Sequence, residues 1–308
     1  MSCQIPLALA VTIVLWYSAR DNCIESVIVE HERLMRCQVL GSGVWGPGIC
    51  DWTSLTGLFD GVNDVTSDPP LTQSPKPDLI PAKERRRSPL CVRMAVEVAG
   101  QACEQSGLNA ADTACVFGSS MGDSDITDYM CRTLATDSKL LSPTKFHNSV
   151  HNASAGYWSI STGCTQAVNS VSGFDLTTPI ALLEAGVFCV SEQQPVLVVL
   201  FDIETPDTFK DFIPISDSFA AALILAPDST NDHSTGVPVL TVQRESRSSD
   251  WPVLDLPSQY KFLQTLYTTN PSARILSLLE HIHHRDHSPI QMPLGENASL
   301  VMSMDKPA

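Results

Sequence analysis

The chain has 308 residues, of which 43% are hydrophobic and 17% charged, a composition typical of a globular protein rather than a disordered one. Its 19 Lys and Arg against 34 Asp and Glu give a net charge of −15. This acidity argues against nucleic acid or an anionic membrane as the main partner, because both bind clustered positive charge. The length suits one large domain or two small ones.

The cysteine pattern indicates free thiols. None of the ten cysteines forms a C-x-x-C pair and none follows Cys189, so neither a zinc ribbon nor a disulfide-stapled domain is indicated. We therefore expect a reducing, cytoplasmic location. The glycine-rich stretch 118–122 lacks the lysine of a phosphate-binding loop. We expect no cofactor.

Residues 1–34 stand apart from the rest of the chain. Their apolar run, 5–16, is shorter than the about 20 residues that span a bilayer, and it lacks the preceding basic residues of a signal peptide. Three interpretations stay open: a dispensable or wrongly assigned extension, a weak anchor or signal, and a packed helix.

From residue 35 onward, predicted strands alternate with predicted helices, which is typical of a layered α/β fold. We predict strands at 37–45, 113–117, 195–201, 219–226 and 237–242, a hairpin at 290–304, and helices at 51–59, 88–106, 124–135, within 146–163, and at 176–189, 257–268 and 271–284. The strand 195–201 is apolar throughout, as expected of a strand covered on both faces, with 219–226 as its neighbour. Glycines around 41–48 mark a tight turn near other backbone.

The helix at 88–106 has the clearest boundaries. Ser88 is predicted as its N-cap, Pro89 as its first residue and Gly107 as its end. A proline-rich loop, 62–82, precedes it.

Several segments resemble β-ketoacyl synthases. The stretch QVLGSGVWGPG (38–48) resembles their opening strand, TACVFGSSMG (113–122) a later strand with its glycine-rich turn, and 152–156 the N-x-x-x-G segment before the nucleophile. More closely, PAKERRRSPLCVRMA (81–95), SPTKFHNSVHNASAGYWSISTG (142–163) and PVLVVLFD (195–202) together resemble the chain-length-factor proteins of bacterial aryl-polyene and related fatty-acid or polyketide gene clusters.

The resemblance implies a thiolase-like α/β fold. It divides the chain into the extension 1–34, a ketosynthase N-terminal-like domain at 35–226, and a C-terminal αβ extension at 227–308 that packs on the same domain.

The resemblance also implies where a condensing enzyme carries its acyl-accepting cysteine. In this fold the thiol lies at a helix N-terminus, where the helix dipole favours the thiolate. Here that position falls near 172–175, before the 176–189 helix, and no cysteine stands there. Asp175 is the best match, and a cap for that helix is its simpler role. The catalytic histidine motif of the second half is also missing, so we expect no autonomous condensation.

The role that follows is a partner subunit. By resemblance, the chain pairs with an active β-ketoacyl synthase across 146–163, shapes the acyl tunnel and limits product length. The candidates for the seam or the tunnel are His147, His151, Asn152, Tyr157, Trp158, Phe174 and Leu176, with core packing as the alternative for the apolar ones. Acyl carrier proteins are acidic, so Lys83, Arg85, Arg86 and Arg87 are candidate carrier contacts, or else a solvated lead-in to the next helix.

Two rival functions stay open. The first is a standalone acyl-transfer or hydrolytic enzyme that would use Cys164 with His151, or Asp175. In the simpler interpretation of these polar residues, Asn148, His151 and Asn152 hydrogen-bond the backbone of an irregular loop. The second rival function is a pseudoenzyme scaffold that binds a carrier protein without influencing chain length.

Four histidines cluster at His281, His283, His284 and His287. His283 and His287 are predicted to share a helix face, as metal ligands would. No cysteine or carboxylate cluster accompanies them in the sequence. We therefore expect no metal site and assign them to a helix C-terminus, where positive charge is favourable.

Overall fold

The computed structural model describes residues 34–62, 70, 73–228, 237–254 and 260–305. The interpretations of residues 1–33 lie outside the described residues, as does the start of the helix predicted at 257–268. The described chain contains the helices and strands in the following order: β1 (Met35–Trp45), α1 (Trp52–Phe59), α2 (Ala82–Arg85), α3 (Leu90–Ser106), β2 (Ala114–Gly118), α4 (Ser124–Leu134), α5 (Pro143–His147), α6 (Ala153–Thr162), β3 (Val168–Val171), α7 (Thr177–Glu192), β4 (Val196–Asp202), β5 (Phe219–Pro227), β6 (Val239–Glu245), α8 (Lys261–Thr269), α9 (Leu276–His284), β7 (Ile290–Gly295) and β8 (Ala298–Met304). Short 3₁₀ turns occupy Ala110–Asp112, Phe174–Leu176 and Pro271–Ile275.

All eight strands of the described residues form one sheet in the order β3-β2-β4-β5-β1-β6-β8-β7. β2 pairs in parallel with β3 and β4, and the other pairs are antiparallel. The prediction that 195–201 and 219–226 are neighbours is confirmed, since β4 and β5 lie side by side at the centre of the sheet.

Helices cover both faces of this sheet. Along β4, Val198 and Leu200 join a core that includes α1, α7, α8 and α9, whereas Leu197 and Val199 join a second core with α3 and α6. This alternation follows from the two-residue period of a strand. The predicted layered α/β architecture is therefore confirmed.

Helix α3 lies unusually close to β1, and two glycines make this possible. A Cβ at Gly41 would collide with the carbonyl oxygen of Ala102, and one at Gly43 with that of Val98. The Gln101 side chain then reaches across and accepts a hydrogen bond from the backbone N–H of Val44 at 2.9 Å. The predicted close backbone approach at these glycines is confirmed.

Two predicted boundaries were wrong. Ser88 does not cap α3; Pro89 is the N-cap, and the Ser88 hydroxyl instead donates to the carbonyl of Arg85 at 2.9 Å. The segment 271–284 is not a single helix, because the Asn270 side chain caps a 3₁₀ turn before α9 begins at Leu276. Gly107 ends α3 in the left-handed conformation, as predicted.

One helix in the described part of the chain, α7 with the turn before it, is long and apolar enough to cross a membrane. It packs against the sheet through Ala181, Leu182, Ala185 and Cys189, all of which are buried. These residues make α7 part of the core on one face of the sheet.

Candidate functional site

A tight turn connects the edge strand β3 to the N-terminus of α7. Its shape is held by the Thr177 hydroxyl, which accepts from the backbone N–H of Gly173 at 3.0 Å and donates to the carbonyl of Phe174 at 2.7 Å. Phe174 has φ of 51°, a left-handed conformation that is strained for an aromatic residue, and its side chain is 68% exposed. The residue that projects from this strand-to-helix turn is therefore a phenylalanine.

Asp175 does not have the capping role predicted for it. The N-cap of α7 is Leu176, which has no side-chain cap, and the Asp175 carboxylate instead lies 3.7 Å from the guanidinium of Arg274. That guanidinium is nearly buried, stacks over the Trp251 ring at 4.5 Å and donates to the carbonyl of Thr268. Asp175 thus forms part of a contact between the turn and the segment before α9.

A buried carboxylate lies at the ends of β2 and β4, close to the turn. Asp202 is completely buried, and its Oδ1 accepts from the Ser119 hydroxyl at 3.0 Å, the Ser120 hydroxyl at 2.6 Å and the Ser120 backbone N–H at 2.8 Å. Its Oδ2 accepts from the Ser272 hydroxyl at 2.7 Å. Burial raises the pKa of Asp202, and these hydrogen bonds partly oppose the rise. The sequence signal was an aspartate ending an apolar strand, to which we assigned no role.

The loop that follows β2, at Ser119 and Ser120, contacts both His151 and the turn before α7. The His151 Nε2–H donates to the carbonyl of Ser119 at 2.9 Å, and the Ser172 hydroxyl donates to the carbonyl of Ser120 at 2.9 Å. Asn148 is buried and accepts from the Tyr157 hydroxyl at 3.3 Å. His151 therefore contacts loop backbone, as the simpler interpretation predicted, whereas Asn152 is exposed and makes no side-chain cap.

The Cys164–His151 dyad is not formed. The Cys164 thiol is buried and donates to the carbonyl of Thr113 at 3.4 Å, at the opposite end of β2 from Ser119. Six residues of strand separate those two carbonyls by about 20 Å. Cys164 and His151 therefore do not form the dyad that we considered for a standalone enzyme.

The remaining seam and tunnel candidates divide by burial. Trp158 is fully buried in the core of α3 and α6, which agrees with the core packing given as its alternative. Tyr157 and Leu176 are half-buried, and His147 is exposed at the end of α5. Large apolar side chains that are exposed in this stretch are Phe146, Val150, Ile160 and Phe174.

The four basic residues proposed as carrier contacts differ in how far they are exposed. The Arg85 guanidinium is used locally, donating to the carbonyl of Pro77 at 2.9 Å and to Asp78 Oδ1 at 3.1 Å. Lys83, Arg86 and Arg87 are exposed. Three of the four carrier-contact candidates thus present their charge to solvent.

The histidine cluster differs from the prediction. α9 ends at His284, so His287 lies outside the helix and its ring contacts the carbonyl of Met304 at 3.2 Å. His283 instead meets a carboxylate that the sequence did not place there, Asp60, at 2.8 Å.

Comparison with known proteins places this architecture in a family. The model of the β-ketoacyl synthase N-terminal domain matches residues 63–284, more than half of the chain. The chain therefore belongs to the β-ketoacyl synthase N-terminal-domain family and has its thiolase-like fold.

Solved structures of this fold cover most of the chain at low sequence identity. A chain from the ketosynthase ApeO in complex with its chain length factor ApeC, from Xenorhabdus doucetiae, matches with a TM-score of 0.64 and 19% identity, over 87% of this chain and 98% of that one. The ishigamide ketosynthase/chain length factor matches with a TM-score of 0.58 and 11% identity, over 87% and 98%. A type II polyketide synthase structure, AntDE with its acyl-carrier protein AntF, matches with a TM-score of 0.62 and 13% identity, over 88% and 99%. None of the curated protein sequences compared with the chain matches it.

Proposed function

We propose that the chain is a non-condensing, chain-length-factor-like subunit that pairs with an active β-ketoacyl synthase in bacterial fatty-acid or polyketide biosynthesis of the aryl-polyene type. The observation that carries the proposal is the turn before α7. Within 172–175, where the resemblance implies the acyl-accepting cysteine, we now match that position to Phe174, which is exposed in the left-handed conformation, instead of to Asp175. An aromatic ring cannot accept an acyl group. The nearby Ser172 hydroxyl donates to the backbone of Ser120.

The edge of the sheet supports pairing with another subunit. Within the described residues, β3 pairs with β2 alone, so its outer backbone groups can continue the sheet across an interface. The chain around this edge holds exposed apolar side chains, including Ile160 on α6, 85% exposed, and Phe174 at the turn. A subunit that pairs with β3 would bury these side chains, which is the reason we place the interface here. We name β3, α6 and the 172–176 turn the edge surface.

The partner supplies the cysteine and histidines, and the edge surface contributes one wall of the acyl tunnel. A carrier protein delivers the acyl chain, and Lys83, Arg86 and Arg87 offer the positive charge that an acidic carrier would contact. We place the assembly in the cytoplasm.

The test is co-expression with a ketosynthase encoded in the same gene neighbourhood. We expect the two chains to co-elute on size exclusion, and Ile160→Glu to abolish co-elution because it buries an unpaired charge in the interface. Val62→Glu is the matched control. Val62 is also exposed, at 74%, but it follows α1 beside β1, four strands from the edge.

The proposal fails if the two chains never co-elute and the ketosynthase is fully active alone. Co-elution that survives Ile160→Glu, or that Val62→Glu removes equally, would place the interface elsewhere. A product spectrum unchanged by the subunit would favour the carrier-binding scaffold instead.

A further inference from the structure

A side-chain cluster forms where the end of α1 meets the end of α9. Asp60 directly follows α1 as its C-cap, and His283 and His284 form the last turn of α9. The Nε2 atom of His283 is 2.8 Å from Oδ1 of Asp60, and the two imidazole centroids are 4.7 Å apart. One ligand atom from each of the three side chains lies within 4.8 Å of the other two.

The electrostatic surroundings favour a cation at this cluster. Both α1 and α9 end here, and the C-terminus of a helix carries a partial negative charge. The carboxylate of Asp60 adds a full negative charge. The rings of Trp52 and Phe59 lie 6.5 and 6.2 Å from the His283 ring and cover its inner side, whereas Asp60 and His284 face solvent.

We propose that Asp60, His283 and His284 bind a divalent first-row transition-metal cation of the Zn²⁺ type, with water completing the coordination. Two imidazoles and one carboxylate suit Zn²⁺ better than Ca²⁺ or Mg²⁺, which prefer oxygen ligands. Ligand atoms on tetrahedral Zn²⁺ lie about 3.3 Å apart. When the cation binds, the 2.8 Å distance between Asp60 Oδ1 and His283 Nε2 must therefore lengthen slightly. The longest distance between two ligand atoms, at most 4.8 Å, must shorten. Side-chain rotation can supply both movements.

The bound cation would tie the end of α1 to the end of α9, two segments more than 200 residues apart in the chain. The site shares no residue with the edge surface. Its failure would leave the proposed function untouched, and the failure of that function would leave this site untouched.

Titration with Co²⁺ tests the site by absorption spectroscopy, because d–d bands report coordination and a near-ultraviolet charge-transfer band reports thiolate ligands. The full chain is used in a background with four cysteines changed to serine, namely the exposed Cys50 and Cys131 together with Cys3 and Cys23, which lie outside the described residues. We expect one Co²⁺ per chain and no thiolate band.

Three single variants in that background decide the ligands. Asp60→Asn and His284→Gln should each raise the Kd for Co²⁺ at least tenfold. His287→Gln is the matched control and should leave the Kd unchanged, because His287 contacts Met304 instead. His284 is exposed, so its replacement does not disturb the core.

A second measurement follows folding stability. We expect Zn²⁺ to raise the thermal midpoint of the background protein, because a ligand that binds only the folded state stabilises it, and not to raise that of His284→Gln. The proposal is overturned if Co²⁺ does not bind saturably, if binding is unaffected by both cluster variants, or if His287→Gln weakens it equally.

Discussion

Asp202 is the residue on which the loops around the candidate site converge. Its two carboxylate oxygens accept four hydrogen bonds from three serines on two separate segments of the chain. Removing one partner of a buried polar network leaves the others without partners, which costs more than the loss of a single hydrogen bond. Asp202 therefore holds the β2 loop and the segment before α9 in register.

Asp202→Ala should lower the free energy of unfolding by about 3–5 kcal/mol, because the serine hydroxyls and the Ser120 N–H lose their acceptor. Asp202→Asn should cost much less, since the amide oxygen can replace Oδ1 and the Ser272 hydroxyl can accept from the new NH₂ group. Chemical denaturation of both variants measures the difference. Equal losses would contradict this account of the network.

The contribution of Asp202 to folding stability should change with pH in a defined direction. Because burial raises its pKa in the folded state, the protonated form is the stabilising one. The stability that protonation of Asp202 adds is complete below about 3.9, the pKa of an aspartate in the unfolded chain. This stability is lost as the pH rises through the raised pKa of Asp202 in the folded protein. The stability of Asp202→Asn relative to the parent should therefore improve as the pH rises from 4. A difference that is constant with pH would be inconsistent with the raised pKa.

At the scale of elements, the packing of α3 on β1 depends on the absence of a side chain at Gly43. Gly43→Ala should destabilise the protein by about 2–3 kcal/mol, because its Cβ would meet the backbone of Val98, which cannot rotate away. Gly100→Ala, in α3 itself, is the control. Its Cβ would meet only the end of the Leu79 side chain at 3.4 Å, so a gain of about 0.5–1 kcal/mol is expected. Thermal denaturation compares the two, and equal effects would contradict the close-approach argument.

The elements that were predictable from sequence are those with a continuous local signal. β4 and β5 are apolar throughout because both faces are covered, and α3 shows its helical period and its terminal glycine. β3 was missed because its sequence, VNSV, is short and half-polar, as suits a strand at the edge of the sheet. The turn after β3 was located by resemblance, but the orientations of Phe174 and Asp175 depend on Thr177 and Arg274, which no local pattern connects to them.

Contacts between distant residues set the limit of such prediction. Asp202 and the serines at 119 and 120 are some 80 residues apart, and Asp60 and His283 are 223 apart. Each residue was visible in the sequence, but only the sheet and helix packing brings the pairs together.

At the scale of the whole molecule, the segment after residue 227 completes the sheet. β6 pairs with β1, β8 pairs with β6, and α8 and α9 cover one face. The division of the chain at 226/227 stays a prediction, and a chain truncated after residue 228 tests it. We expect that chain to be insoluble or unfolded by circular dichroism, because β1 would become an open apolar edge. A soluble, cooperatively folded product would make 35–226 an independent domain.

The central place of β1 in the sheet has a consequence for biosynthesis. β1 emerges from the ribosome first among the described strands, yet both of its neighbours, β5 and β6, come from beyond residue 218. At about 5–20 residues per second, translation of the intervening chain leaves β1 unpaired for roughly 10–40 s. Nascent chains should therefore depend on chaperones through most of their synthesis. Substitutions in β5 or β6 should reduce the yield of folded protein in the cell more than they reduce the stability of the molecules that do fold.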